Sequence, residues 1–97
     1  MISWHEPYAT MTALGAAKTL RQVLSGTSDA AIRFDHLCSL LVNLGFDRHV
    51  KGSHHLFRKS GVEERINLQR DGGQAKPYQV KQVRAMLVRN RLGDKFE

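Results

Sequence analysis

The sequence predicts an α+β fold in the order helix, helix, three strands, helix, with an antiparallel sheet covered by helices on one face. Three observations predict it. Apolar residues recur at helical spacing over 13–24, 34–44 and 77–92. Between the second and third of these lie three short segments, the first alternating in strand fashion and all separated by glycine-bearing turns. Short strands joined by tight turns pair antiparallel, and the helices then cover one face of the sheet.

Residues 1–12 carry no helical or strand period; Trp4, Pro7 and Tyr8 make them adhesive without making them regular. A loose arm is the expectation. Over 13–24, Ala13, Ala16, Ala17, Leu20, Val23 and Leu24 form an apolar stripe, with Lys18, Arg21 and Gln22 facing away. Gly26 is placed to terminate this helix. The second helix, about 34–44, is the best defined, with Phe34, Leu37, Cys38, Leu41 and Leu44 on one side and Gly45 past its end.

The strands are expected at 46–51, 54–59 and 63–68. Gly52-Ser53 is a two-residue hairpin loop of the Gly-X type. That loop pairs Lys51 with His54, Val50 with His55, His49 with Leu56 and Arg48 with Phe57. Paired residues share a face. Phe46, Val50 and Phe57 then point toward the helices, with Arg48 and His55 at the edges. Lys51, His54, His49 and Arg58 lie on the open face. A loop one residue longer exchanges the faces and turns His54 inward. Residues 69–76 read as a polar loop, and Pro77 suits the first turn of the last helix. Val80, Val83, Met86 and Leu87 form its stripe, and Tyr78 is expected in the core rather than as a stacking ring.

Size and charge bound the function. Ninety-seven residues make one small domain, with a net charge of +6 and 41% hydrophobic residues. The sequence pI is about 10.0, which favours phosphate backbones or an acidic protein partner. Cys38 is the single cysteine, so no internal disulfide forms; its place on an apolar stripe makes it a packed thiol. No apolar run approaches the ~20 residues that span a bilayer. The expectation is a cytoplasmic protein without a membrane-spanning segment.

The run Lys51-Gly52-Ser53-His54-His55-Leu56-Phe57-Arg58 concentrates the chemistry. Histidine titrates near neutral pH and moves protons; flanking cations suit an anionic substrate. An open imidazole at position 54 can take the 2′-hydroxyl proton of RNA, and the resulting oxygen attacks the adjacent phosphorus. Lys or Arg nearby offsets charge on the equatorial oxygens. No metal or other cofactor is needed. His49, Lys51 and Lys76 are the candidates for protonating the leaving oxygen, and spacing does not choose among them. His55, next in the strand, points the other way and is expected to be structural. His49, His54 and His55 lack the spacing and cysteine partners of a structural zinc site. Lys76 and Lys81, at the start of the last helix, form a second cationic cluster that suits a phosphate, or else a solvated helix face.

Several of these residues carry a resemblance. Phe34 to Leu41 (FDHLCSLL), Leu44-Gly45-Phe46, Lys51 to Arg58 (KGSHHLFR) and Lys76-Pro77 leading into Val80 to Arg84 resemble the HicA, or YcfA-like, family of toxin–antitoxin toxins. The matching elements span about 32–92. The resemblance implies a fold like the double-stranded-RNA-binding domain, α-β-β-β-α, with an extra helix before it. Residues 1–31 are then an N-terminal extension and 32–97 a HicA-like RNA-binding ribonuclease domain. It implies an mRNA interferase, a metal-independent endoribonuclease that halts translation and is covered by a HicB-type antitoxin. The histidine after the Gly-Ser pair, His54, becomes the catalytic residue. Lys51, Gly52, Ser53, Arg58, Lys76 and Lys81 become the expected RNA contacts. Two departures stand out: residues 1–31 are additional, and Asn67 to Asp71 (NLQRD) replaces a strand end that often carries proline and histidine. The alternatives are an RNA-binding module without cleavage and a protein-interaction domain docking through the 13–24 helix.

Overall fold

The computed structural model describes residues 12–94. The arm expected over 1–12 lies, but for Thr12, outside them. The elements are α1 (Ala13–Ser25), α2 (Phe34–Asn43), β1 (Asp47–Lys51), β2 (His54–Arg58), β3 (Ile66–Gln69) and α3 (Pro77–Arg89). The sheet is antiparallel with strand order β1-β2-β3.

Local chemistry sets the helix ends. The Thr12 hydroxyl accepts the Gly15 N–H at 3.1 Å, satisfying one of the donors left open at the start of α1. Gly26 closes α1 with φ 71°, a left-handed backbone that glycine adopts without a Cβ penalty. Pro77 begins α3, and Gln79 Oε1 accepts the Lys76 N–H at 3.2 Å. The α3 chain stops at Asn90, after which Arg91 takes φ 55°.

The apolar stripes converge on one core. Leu20 and Val23 of α1, Phe34, Leu37 and Leu41 of α2, Phe57, Ile66 and Leu68 of the sheet, and Val80, Val83 and Leu87 of α3 are all buried in it. The helix expected as an extension therefore shares the core of the rest. Cys38 is fully buried there, as its position on the α2 stripe predicts.

The hairpin register is the one the two-residue loop predicts: Lys51 faces His54 and Arg48 faces Phe57. Gly52 holds φ 61°, which the turn requires at its first central position. The third strand differs from expectation. It begins at Ile66 rather than 63, because the β2–β3 connection is a loop through 59–65, with the Val62 N–H donating to the Lys59 carbonyl. Three further expectations are corrected. Arg48 and His55 are not edge residues but buried, at 4% and 3% exposure. They tolerate burial together because Arg48 donates to His55 Nδ1, at 3.2 Å from Nε and 2.8 Å from Nη2. Tyr78 is not in the core: it is 59% exposed on the first turn of α3, since Gln79 and Val80 occupy the inward positions.

Arg84 ties α3 to the end of α1. It donates to both carboxylate oxygens of Asp29, at 2.8 and 3.0 Å, and to the Val23 carbonyl at 2.9 Å. The Arg84 hydrogen bond holds Asp29 below the usual carboxylate range. The Arg70 hydrogen bond does the same for Asp35. Glu64 is lowered by hydrogen bonds from Asn90, its own backbone and Arg89. A carboxylate depressed in the folded state contributes stability above its unfolded pKa and loses it as pH falls through the folded one. The melting temperature is therefore expected to be level near neutral pH and to fall below about pH 4. Arg84→Met should melt lower at pH 7 and show a shallower acid drop. Thermal melts of both chains from pH 7 to pH 2 measure this, and parallel curves would remove Asp29 from the account.

Candidate functional site

Side-chain alternation divides the sheet into two chemically different faces. On the helix side lie Arg48, His55, Phe57, Ile66 and Leu68, all buried. On the other side Lys51, His54, Arg58, Asn67 and Gln69 are exposed, with His49 and Leu56 half-buried among them. The two adjacent histidines thus have separate environments. His55 meets the Phe34 ring edge-on, with centroids 5.0 Å apart, and accepts from Arg48. His54 stands on the open face of the central strand, opposite Lys51 on one side and Gln69 on the other.

His54 has a specific partner. Its Nδ1 lies 3.3 Å from Asn67 Oδ1, across the β2–β3 pair. A carboxamide oxygen only accepts, so Nδ1 carries the proton of that bond. In the neutral ring the lone pair is then on Nε2, the nitrogen on the far side of the imidazole from Asn67. The sequence marks Asn67 only as part of a departure at the end of the third strand; the β2–β3 register is what brings it to His54.

Backbone contacts bring further groups to this end of the sheet. The Arg70 N–H donates to the Ser53 carbonyl at 2.8 Å, pinning the turn. The Arg70 guanidinium pairs with Asp35 and lies over the Phe34 ring, 4.6 Å from its centroid. Gln79 Nε2 donates to the Gln69 carbonyl at 3.1 Å, so the first turn of α3 is tied to the residue that pairs with His54. The N-terminal end of α2 arrives in the same region: the Phe34 N–H donates to the Gly73 carbonyl, and Arg33 bridges to Gln74. Lys51, Gly52, Ser53 and His54 therefore share one pole of the molecule with the loop through 70–76 and Lys76. Lys76 Nζ is 3.3 Å from Asp71.

Two of the expected RNA contacts stand apart from this pole. Arg58 shares the open face with His54, but it pairs with Asp47 at the other end of β2. Four steps along the strand, about 13 Å, separate it from His54. It borders a different hollow, of about 460 Å³, with Lys59, Glu63 and Arg65. Lys81 lies a turn beyond Lys76 on α3, and its charge acts on Asp29 at the α1–α2 connection. Among the described residues no cluster of three or more His, Cys, Asp or Glu side chains is arranged to hold a metal ion. No helix of the described residues is long and apolar enough to cross a membrane.

No protein-family model, curated protein or solved structure matches the chain.

Proposed function

We propose that the chain is a metal-independent endoribonuclease of the HicA kind, the toxin of a toxin–antitoxin pair, with His54 as its general base. The Gly-Ser-His-His hairpin and the basic charge of the chain support an RNA substrate. The observation that carries catalysis is the His54–Asn67 hydrogen bond, which leaves Nε2 as the basic nitrogen of an exposed imidazole. The α-β-β-β-α part of the chain then corresponds to a double-stranded-RNA-binding-domain-like fold, and α1 is an addition to it. The acidic counterpart of so basic a surface is a HicB-type antitoxin.

In this mechanism Nε2 of His54 takes the proton of the 2′-hydroxyl, and a bond forms between the 2′-oxygen and phosphorus. Lys51, directly across the hairpin, offsets the negative charge that builds on the phosphoryl oxygens. The bond from phosphorus to the 5′-oxygen breaks, and that oxygen receives a proton from solvent water at the exposed sheet face. One fragment ends in a 2′,3′-cyclic phosphate and the other begins with a 5′-hydroxyl. Asn67 holds the neutral ring in the tautomer that begins the step and keeps accepting from Nδ1 once Nε2 is protonated.

The test is incubation of RNA with the full chain in EDTA, followed by analysis of both new ends. Cyclic phosphate and 5′-hydroxyl ends are expected. Intact RNA, with salt-sensitive binding that survives His54→Ala, selects the RNA-binding module without cleavage instead.

A further inference from the structure

A groove of about 340 Å³ runs between α1 and the start of α2, lined by Gly15, Lys18, Thr19, Gln22, Arg33 and His36. Gly15, Lys18, Thr19 and Gln22 recur at helical spacing and form one flank of α1, adjacent to the core stripe. Arg33 and His36 come from the opposite wall. None of the described residues lining the groove is acidic. Asp35, between Arg33 and His36 in sequence, pairs with Arg70, and the Arg33 charge also acts on it. Lys18, Arg33 and His36 are exposed at the rim. A concavity with two permanent cations, one imidazole and an amide, and no carboxylate on its described walls, fits an oxyanion.

Its position gives the anion an identity. Arg33 bridges to Gln74, in the loop that leads to Lys76. From Lys76 the first turn of α3 reaches Gln69 through Gln79, and Gln69 pairs with His54. The groove is thus linked through Arg33, Gln74 and Lys76, which pairs with Asp71, to the end of the sheet that holds His54 and Lys51.

We propose that the α1–α2 groove binds backbone phosphate of the same RNA strand whose cleavage point sits at His54. The inference rests on the RNA reading above and assigns to α1 a role in substrate contact. Lys18 and Arg33 neutralise the phosphate, and Gln22 and His36 offer hydrogen bonds to its oxygens. Strand flanking the cleavage point follows the 70–76 loop to reach them. Short RNAs that end before the groove lose these contacts, so affinity rises with length on one side of the cleavage point.

The experiment uses the full chain, isotopically labelled, and an RNA oligonucleotide with every 2′-oxygen methylated so that it binds but cannot be cut. Amide signals of Lys18, Arg33 and His36 are expected to shift together with those of Lys51 to His54. The double variant Lys18→Glu, Arg33→Glu should bind about tenfold more weakly near 0.1 M salt. Its plot of log affinity against log salt should be flatter by about 0.7, one phosphate contact on a single strand. The double variant Arg65→Glu, Arg91→Glu, at two exposed cations outside the groove, carries the same charge change and should stay close to the parent. Hairpin shifts without groove shifts would overturn the groove and leave the RNA reading standing. An equal loss in Arg65→Glu, Arg91→Glu would reduce the effect to overall charge and overturn it as well. Absence of shifts at both places would remove the groove and the RNA substrate together. The parent spectra decide these cases even where the groove variant does not fold.

Discussion

His54→Ala should lower RNA cleavage by about 10²–10⁴-fold, the range that a positioned general base supplies, and leave the melting temperature close to the parent's. Its neighbour His55→Ala should do the opposite to stability. The difference follows from one residue of strand. His54 is exposed and its side chain meets Asn67 across the strand pair, so truncation removes little packing. His55 is 3% exposed, packs edge-on against Phe34 and is the acceptor for Arg48. Its loss takes an acceptor from a buried cation and opens a void beneath the sheet, at a cost of about 3 kcal/mol. For a domain of this size that is a fall in melting temperature on the order of 15 °C. Single-turnover cleavage below the transition, paired with thermal melts, separates the two variants. Equal cleavage by the parent and His54→Ala would end the catalytic assignment. Intermediate cleavage by Asn67→Ala, with the lost activity concentrated in turnover rather than binding, is the corollary of the tautomer argument.

Which histidine faces out was not legible in the sequence: a loop one residue longer exchanges the faces, and the two-residue turn with Gly52 at positive φ decides it. That the two face opposite ways was legible, because the strand period and the turn signal agree on a hairpin. The helix stripes were legible for the same reason: apolar spacing and end signals such as Gly26 and Pro77 point to one answer. What was not legible depends on contacts between segments distant in sequence. Arg48 reads as a surface cation until the register sets it beside His55. Tyr78 reads as core until Gln79 turns inward to reach the Gln69 carbonyl. The start of β3 was misplaced because Glu63 to Arg65 carry no feature that separates a strand from an extended loop. Arg58 was grouped with His54 on face alone; a face gives side, and distance along the strand decides which residues meet. The groove was invisible because its walls lie on two helices whose relative placement periodicity does not give.

Phe34→Ala should be the most destabilising single truncation, at about 3–5 kcal/mol. Natural domains of this length hold roughly 5–15 kcal/mol in total, so the variant retains at best a modest margin. Phe34 is fully buried and is among the largest such side chains in the molecule. It also supports three things at once. Its face carries the Arg70 guanidinium, its side meets the His55 ring, and its N–H fixes the loop at Gly73. Removing the ring therefore loosens the α2 end of the pole that holds the Gly52-Ser53 turn, because Arg70 is also the residue that donates to Ser53. Phe34→Leu keeps most of the volume and the backbone bond but not the flat face, and should cost far less than the alanine. Urea denaturation of the three chains gives the free energies directly, provided the slopes agree. A shift below about 1 kcal/mol for Phe34→Ala would mean that the site collapses around the missing ring. In that case Arg70 should leave Asp35 as well, and the acid dependence contributed by Asp35 should disappear from the same variant's pH profile. Retention of that dependence alongside a large loss of stability is the expected result, since Arg70 and Asp35 meet on the exposed side of the ring rather than through it.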